Sequence, residues 1–256
     1  MAMAHRSGNS GSVLGGGFEY KIPVKNWAHG LESGGKSGVF KLDDFNPYVA
    51  GDYDVATIEG SNAVAQVAGS PVGEVALKQD EASTVNDVAN IIAKRDGGLS
   101  VNFAAGKQSA AAIRFKVDSI AEKCSVFVGL IDGATEDGSA LITDTTGVMG
   151  AFDGCGLHLK DAAASMDLIY GTDLSDPTEH KLGAKVLVAD TYVNFSVHCD
   201  GTNVLFFIDG SQVGGKVPRA NVAAADLRLG VLTKHTTNLA ADKNITIDSM
   251  AAAQER

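Results

Sequence analysis

The chain has 256 residues, 45% of them apolar and 20% charged, which is enough to bury the core of one large domain, or of one domain plus an arm. Its 31 acidic residues against 21 basic ones give a net charge of −10, which argues against a nucleic-acid binder and against a polybasic membrane-surface protein. No stretch approaches the roughly 18 apolar residues of a membrane helix. Three widely spaced cysteines, Cys124, Cys155 and Cys199, make neither a disulfide framework nor a zinc site and read as small buried hydrophobes.

Residues 1–17 are rich in Gly and Ser and end in Gly15-Gly16-Gly17, the composition of a flexible tail. Met1–Ser12 is polar and holds no apolar h-region, so no secretory signal is expected and synthesis in a reducing cytoplasm fits. Residues 18–60 hold two short strand-like pieces, Phe18–Val24 and Gly38–Leu42, with Trp27, Phe45, Tyr48 and Tyr53 set among Gly, Asp and Pro. Periodicity there is weak. Residues 1–60 therefore read as an extended arm, with those four aromatics as anchors for a groove on a partner; the other reading is an irregular edge of the main domain.

From Gly73 the pattern strengthens. One helix is predicted at Val85–Arg95, from the capping-box spacing of Thr84 and Asp87, the shared face of Val85, Val88, Ala89 and Ile92, and the stop at Gly97-Gly98. Nearly everything after it reads as short strands. Ile113, Phe115 and Val117 alternate with Arg114 and Lys116, and Val126–Ile131 is a continuous apolar run. Leu157 and Leu159 flank His158; Met166, Leu168 and Tyr170 alternate, as do Val193, Phe195, Val197 and Cys199. Val204–Ile208 follows the Asp200-Gly201 turn, then come Leu227, Leu229 and Val231, and finally Ile245 and Ile247. Strands with one polar face belong outside; the runs Val126–Ile131 and Val204–Ile208 belong mid-sheet or under a covering loop. The expected architecture is all-β: a single antiparallel sandwich over residues 61–256 behind the arm, with one short helix.

Tyr192–Val213, a strand, an Asp-Gly turn and a strand ending in a second Asp-Gly, resembles the paired strands of concanavalin A-like jelly rolls. Ala111–Val117 followed by Ser125–Asp132 is similar to an earlier strand pair, and Ile245–Met250 to the last strand. The resemblance covers roughly residues 70–256 and implies a jelly-roll β-sandwich, a fold that hosts lectins, glycosidases, binding modules and viral proteins. The strand text around Phe127, the small-residue bias, the acidic balance and the Gly-rich arm look like tailed-phage capsid decoration or cement proteins. That likeness implies a non-enzymatic virion protein on the capsid surface, bound to the major capsid protein through its arm and self-associated as a homotrimer.

Glycosidases of this fold align two carboxylates along one strand about 5–5.5 Å apart; no Glu-x-Asp-x-Glu string is present, so no catalytic residue is expected. The loop with Asp132, Glu136, Asp137 and Asp144 reads either as a calcium site or as a solvated acidic turn, and Asp167 to Asp176 has the same two readings. The six His show no metal-cage spacing, and no Gly-x-Ser-x-Gly elbow exists. No cofactor is expected unless calcium binds. The competing reading is a carbohydrate-binding, lectin-like module contacting surface glycans, with Asn203, Asp209 and Asp153 as loop-edge candidates.

Overall fold

The computed structural model describes residues 38–255 apart from 59–61, 71–72, 81–87, 95–98, 121–123, 133–140, 144–146, 162, 173–175, 223–225, 236–238 and 240. In chain order the strands are β1 (Gly38–Asp43), β2 (Tyr53–Ile58), β3 (Ala63–Gln66), β4 (Val75–Gln79), β5 (Val88–Ala93), β6 (Ser100–Val101), β7 (Ser109–Val117) and β8 (Ser125–Asp132). They continue as β9 (Gly154–Leu159), β10 (Ser165–Gly171), β11 (Thr178–Val186), β12 (Val193–Cys199), β13 (Asn203–Ile208), β14 (Ser211–Pro218), β15 (Leu227–Lys234) and β16 (Lys243–Glu255).

Two antiparallel sheets stack as a sandwich. The first runs β14-β13-β12-β7-β16-β4-β3, with β1 on the far half of β16; the second runs β11-β10-β9-β8-β15-β5-β2, with β6 on β15. Period-2 alternation decides what lies between them. Ile113 of β7 faces inward, opposite Phe195 of β12 and Met250 of β16, and all three are buried in the core. Phe115, Phe195 and Phe206 are fully buried; removing each ring from water contributes about 2–3 kcal/mol.

One polar seam crosses the core. Gln79 of the first sheet donates through Nε2 to Thr233 of the second, at 2.6 Å to Oγ1 and 3.2 Å to the carbonyl. Thr233 Oγ1 donates to the Ala89 carbonyl, and the Thr233 amide donates to Asn90 Oδ1. Buried polar atoms are tolerated because each has a partner, and the Gln79–Thr233 link staples the two sheets.

The helix expected at Val85–Arg95 is not there. Its described part is β5, paired with β2 on one side and β15 on the other. All six residues of β5 are buried: Ala89 and Ile91 join the central core while Ile92 lies in a second cluster on the opposite face. An apolar run buried on both faces matches a helical stripe by accident, and the β-branched Val88, Ile91 and Ile92 favour the strand. The capping pair Thr84 and Asp87 lies outside the described residues.

The division at residue 60 does not follow the pairing. β1 pairs with β16 and β2 with β5, so residues 38–58 supply two strands to the sandwich. The run Val126–Ile131, as β8, sits mid-sheet between β9 and β15 and also lies under a loop. Val204–Ile208, as β13, alternates buried with half-buried residues between β12 and β14.

Candidate functional site

Each sheet has an outer face, and the two differ. On the second sheet, residues 141–143 and 147–152 form a strap. Ile142 bridges Met149, and the Gly150 amide donates to the Leu141 carbonyl at 2.7 Å. Leu141, Ile142, Met149 and Phe152 pack onto Phe127, Ile131, Ile169, Leu232 and Ile92, with Phe152 edge-on to Phe127 at 5.6 Å. Polar ties fix the strap as well. Lys234 Nζ donates to the Ile142 carbonyl at 3.1 Å, and Ser125 Oγ to the Gly147 carbonyl at 2.6 Å.

His158 lies beneath this strap, 1% exposed, with Nε2 at 3.0 Å from the Gly147 carbonyl and 2.9 Å from Ser125 Oγ. Burial lowers its pKa to about 4, and the Gly147 carbonyl opposes that only in part. The neutral ring faces a carbonyl, which can only accept, so Nε2 carries the proton. A protonated Nε2 takes no proton from Ser125, and this Ser/His contact is a clamp on the strap rather than an activated nucleophile.

The outer face of the first sheet carries no such strap among the described residues. Alternation places Arg114 and Lys116 of β7 there, with Asn194, Ser196 and His198 of β12 in register beside Arg114, Ala112 and Ala110. In β16 the register slips between Ile247 and Ser249. The extra residue, Asp248, is re-aimed by the bulge and accepts from Arg114 Nη1 at 2.9 Å and from Ser249 Oγ at 3.1 Å. The guanidinium of Arg114 also lies 4.0 Å from the centre of the Tyr192 ring, and Lys116 Nζ lies 4.8 Å from it. Lys116 reaches Glu74 at 3.6 Å. Next along, Asp209 accepts from the Asn194 amide at 3.0 Å and from Lys185 Nζ at 2.6 Å. Burial raises the Asp209 carboxyl's pKa, but these donors outweigh it and the net shift is downward.

The face is thus two-toned. One half is a lattice of paired charges around Tyr192; the other holds the small residues Ala110, Ala112, Ala251 and Ala253, with Phe40 packed on three of them. Two buried polar atoms on this face, Tyr192 Oη and His198 Nε2, have no hydrogen-bond partner among the described residues. Desolvation lowers the His198 pKa, with Asp200 opposing it, so the ring is neutral and can accept or donate.

The residues singled out from the sequence are scattered. Trp27 lies outside the described residues. Phe45, Tyr48 and Tyr53 do not project to a partner: they stack on one another, with ring centres 5.6–6.2 Å apart, and Phe45 and Tyr53 are in the core. Their apolar area is spent inside this chain, and Tyr53 Oη donates to Asp43 at 2.6 Å. Of the acidic loop, Asp132 ends β8 and donates its amide to the Asp153 carbonyl; Asp137 and Asp144 lie outside the described residues. No group of three or more His, Cys, Asp or Glu able to hold a metal exists among the described residues. Asn203 and Asp209 sit at opposite ends of β13, and Asp153 precedes β9 in the other sheet, so the three do not meet. Asn203, with the outward parity of Leu205 and Phe207, and Asp209, just beyond the other end of β13, both border the first sheet's outer face. Arg114 and Lys116 were visible as the polar half of an alternating strand; Tyr192 and Asp248 were not, because a turn residue and a bulge follow no alternation.

No protein-family model matches the chain, and no curated protein matches its sequence. Solved structures do match. A protein of unknown function, SO2946 from Shewanella oneidensis MR-1, is 15% identical with a TM-score of 0.54, over 86% of this chain and 87% of that one. The Emp47p carbohydrate recognition domain is 12% identical with a TM-score of 0.53, over 83% and 93%. An endo-beta-1,4-glucuronan lyase from the fungus Trichoderma reesei is 9% identical with a TM-score of 0.50, over 86% and 96%. At such identities the likeness is one of fold: the chain is an antiparallel jelly-roll β-sandwich like these structures.

Proposed function

We propose that this chain is a carbohydrate-binding module that engages a glycan on the outer face of its first sheet. The observation that carries the reading is the set of pairs around Tyr192, on a face that carries no strap among the described residues: Arg114 is held by Asp248, Lys116 by Glu74 and Asn194 by Asp209, with Arg114 and Lys116 against the Tyr192 ring. Sugars are recognised by fixed polar groups that match pairs of hydroxyls, and pre-pairing removes the entropy of ordering long side chains on binding. One similar structure is a carbohydrate recognition domain and another an endo-beta-1,4-glucuronan lyase, so the fold accommodates sugar ligands.

The role is binding without catalysis. An acid and a base must reach the same bond. The two ring groups on this face whose buried polar atoms lack a partner among the described residues, Tyr192 just before β12 and His198 within it, stand six residues apart, about 20 Å. The test is a glycan array on the full chain, followed by calorimetry on the best ligand. Asn194→Ala and Lys116→Ala are expected to weaken binding about tenfold, with the ligand left intact. Absence of any retained glycan sinks the reading, and so does a shortened ligand.

A second reading, capsid decoration with the major capsid protein and further copies of this chain as partners in a trimer on a virion, draws on one feature. Leu182, Val186 and Val188 are 58–64% exposed along and just beyond the edge strand β11, an apolar strip suited to self-association. The native mass settles it: a discrete oligomer that pellets with purified shells supports this role, and a monomer left in the supernatant removes it.

A further inference from the structure

The strap on the second sheet is fastened differently at its two ends. Near one end the Asp132 amide of β8 donates to the Asp153 carbonyl at 2.9 Å, and Phe152 is set edge-on against Phe127. At the other end side chains clamp two strap carbonyls: Lys234 Nζ holds that of Ile142, and Ser125 Oγ and His158 Nε2 hold that of Gly147. These side chains stand on β15, β8 and β9, which are neighbours in the sheet. Ser125 and Asp132 are the first and last residues of β8, about 23 Å apart. Among the described residues, the strap's other main-chain bonds are internal, from Thr143 to Val148, from Gly147 to Thr143 and from Gly150 to Leu141. The strap is thus a unit with a main-chain tie at one end and a side-chain clamp at the other. Under it, Gly129, Gly156 and Gly230 offer no side chain to interlock, and Ile92, Phe127, Ile131, Ile169 and Leu232 give an apolar floor.

We propose that the strap is an acid-released lid: protonation of His158 frees its clamped end while the sandwich stays folded, and uncovers the apolar outer face of the second sheet. In the closed state the ring is sealed, and burial lowers its pKa from 6.5 to about 4. Lifting the clamped end gives the ring water and its ordinary basicity, so opening and proton uptake are linked. With those two values the opening equilibrium rises about a hundredfold between pH 7 and pH 4. The charged groups around the ring do not cancel this. Asp167 of β10 lies in register with His158, and Lys160 pairs with it at 3.3 Å and with Glu179 of β11 at 2.6 Å. Both acids favour the imidazolium and Lys160 opposes it, each more weakly than burial acts. Asp161 lies beside Gly147, and Lys234 holds Ile142. The opening is local because the ladders of both sheets and the Gln79–Thr233 link do not run through the strap.

Three of the methionines read this motion in the full, unaltered chain. Met149 lies in the strap and is 4% exposed, while Met166 and Met250 lie in the central core at 0%. Hydrogen peroxide converts an accessible thioether to its sulfoxide, and peptide mass spectrometry follows each residue at pH 7 and pH 4. Met149 is expected to oxidise about a hundredfold faster at pH 4, with Met166 and Met250 slow at both. Equal Met149 rates at the two pH values overturn the lid. A joint rise of all three also overturns it, since that is unfolding of the whole sandwich. His158→Gln leaves Lys160, Asp161, Asp167 and Glu179 in place and is expected to remove the acid response of Met149. A folded variant that keeps the response overturns the proposal and assigns the opening to those charges; the unaltered chain alone decides the matter if the variant does not fold. None of these rates depends on whether a sugar binds, so the result stands apart from the glycan test.

Discussion

Arg114 donates to Asp248 at 2.9 Å across the bulge of β16, and the pair is anchored against the Tyr192 ring. The Asp248 side chain is 8% exposed, so its charge depends on this donor and on Ser249. Arg114→Ala removes the main donor and strands the carboxylate. The expected loss is about 2 kcal/mol in urea unfolding, between an ordinary hydrogen bond to a charged group and a fully buried ion pair. Arg114→Lys keeps the charge but loses the planar contact with Tyr192 and recovers only part of it. A double-mutant cycle with Asp248→Asn checks the coupling; a coupling energy near zero contradicts the arrangement.

His158 ties stability to pH. Its pKa is lowered from 6.5 to about 4 by burial, so between those values the unfolded chain binds a proton that the folded chain refuses. This contribution to stability is complete above about pH 6.5 and drains away as pH falls to about 4. At roughly 1.4 kcal/mol per pKa unit it amounts to about 3 kcal/mol. His158→Gln is expected to flatten the stability profile across that window. An unchanged slope places the histidine in water, contrary to its position under the strap.

The strap rests on a smooth track. Gly230, Gly129 and Gly156 are aligned across β15, β8 and β9, and the Phe127 ring lies over the last two. A Cβ on residue 156 would stand 2.6 Å from that ring and 2.5 Å from the Val128 carbonyl. Gly156→Ala therefore forces the ring and the strap to shift, at a cost of about 1–3 kcal/mol. Unfolding in urea measures it; a neutral effect would mean the ring does not occupy this track.

The native thiols are inert. Burial holds Cys124 at about 11 and pushes Cys155 and Cys199 up as well. The thiolate is the reactive form, so a disulfide reagent at pH 8 is expected to titrate none of the three until denaturant is added. Rapid reaction of the native protein contradicts their burial.

The sandwich was legible where one side of a strand is wet or the whole strand is dry. Ile113–Val117 and Val193–Cys199 alternate as their burial requires, Leu227, Leu229 and Val231 of β15 and Ile245 and Ile247 of β16 all enter the core, and Gly38–Leu42 is β1 less its last residue. Thr178–Val186 and Ser211–Pro218 escaped notice because they are edge strands, exposed along most of their length. With no buried face, nothing imposes a period. β5 was misread for the opposite reason, since a strand dry on both faces imposes none either. The candidate site was half visible. Alternation turned Arg114 and His198 outward, but it turned His158 outward too. Only the strap of residues 141–143 and 147–152 separates a sealed histidine from one on a face that no described strap covers, and no local pattern carries that cover.

Asp248 does more than hold Arg114, because the parity of the rest of β16 hangs on it. Up to Ile247 the odd-numbered residues point into the core; after the bulge Met250 and Ala252 do, while Ala251 and Ala253 turn outward. Deleting this one residue would invert the second half of the strand. Small methyls would then enter the space Met250 fills, and a thioether would stand on the shallow outer face. The sidedness of Ser249–Glu255 is thus set by an insertion rather than by a pattern. Length changes near position 248 should be tolerated far less well than substitutions on either side of it.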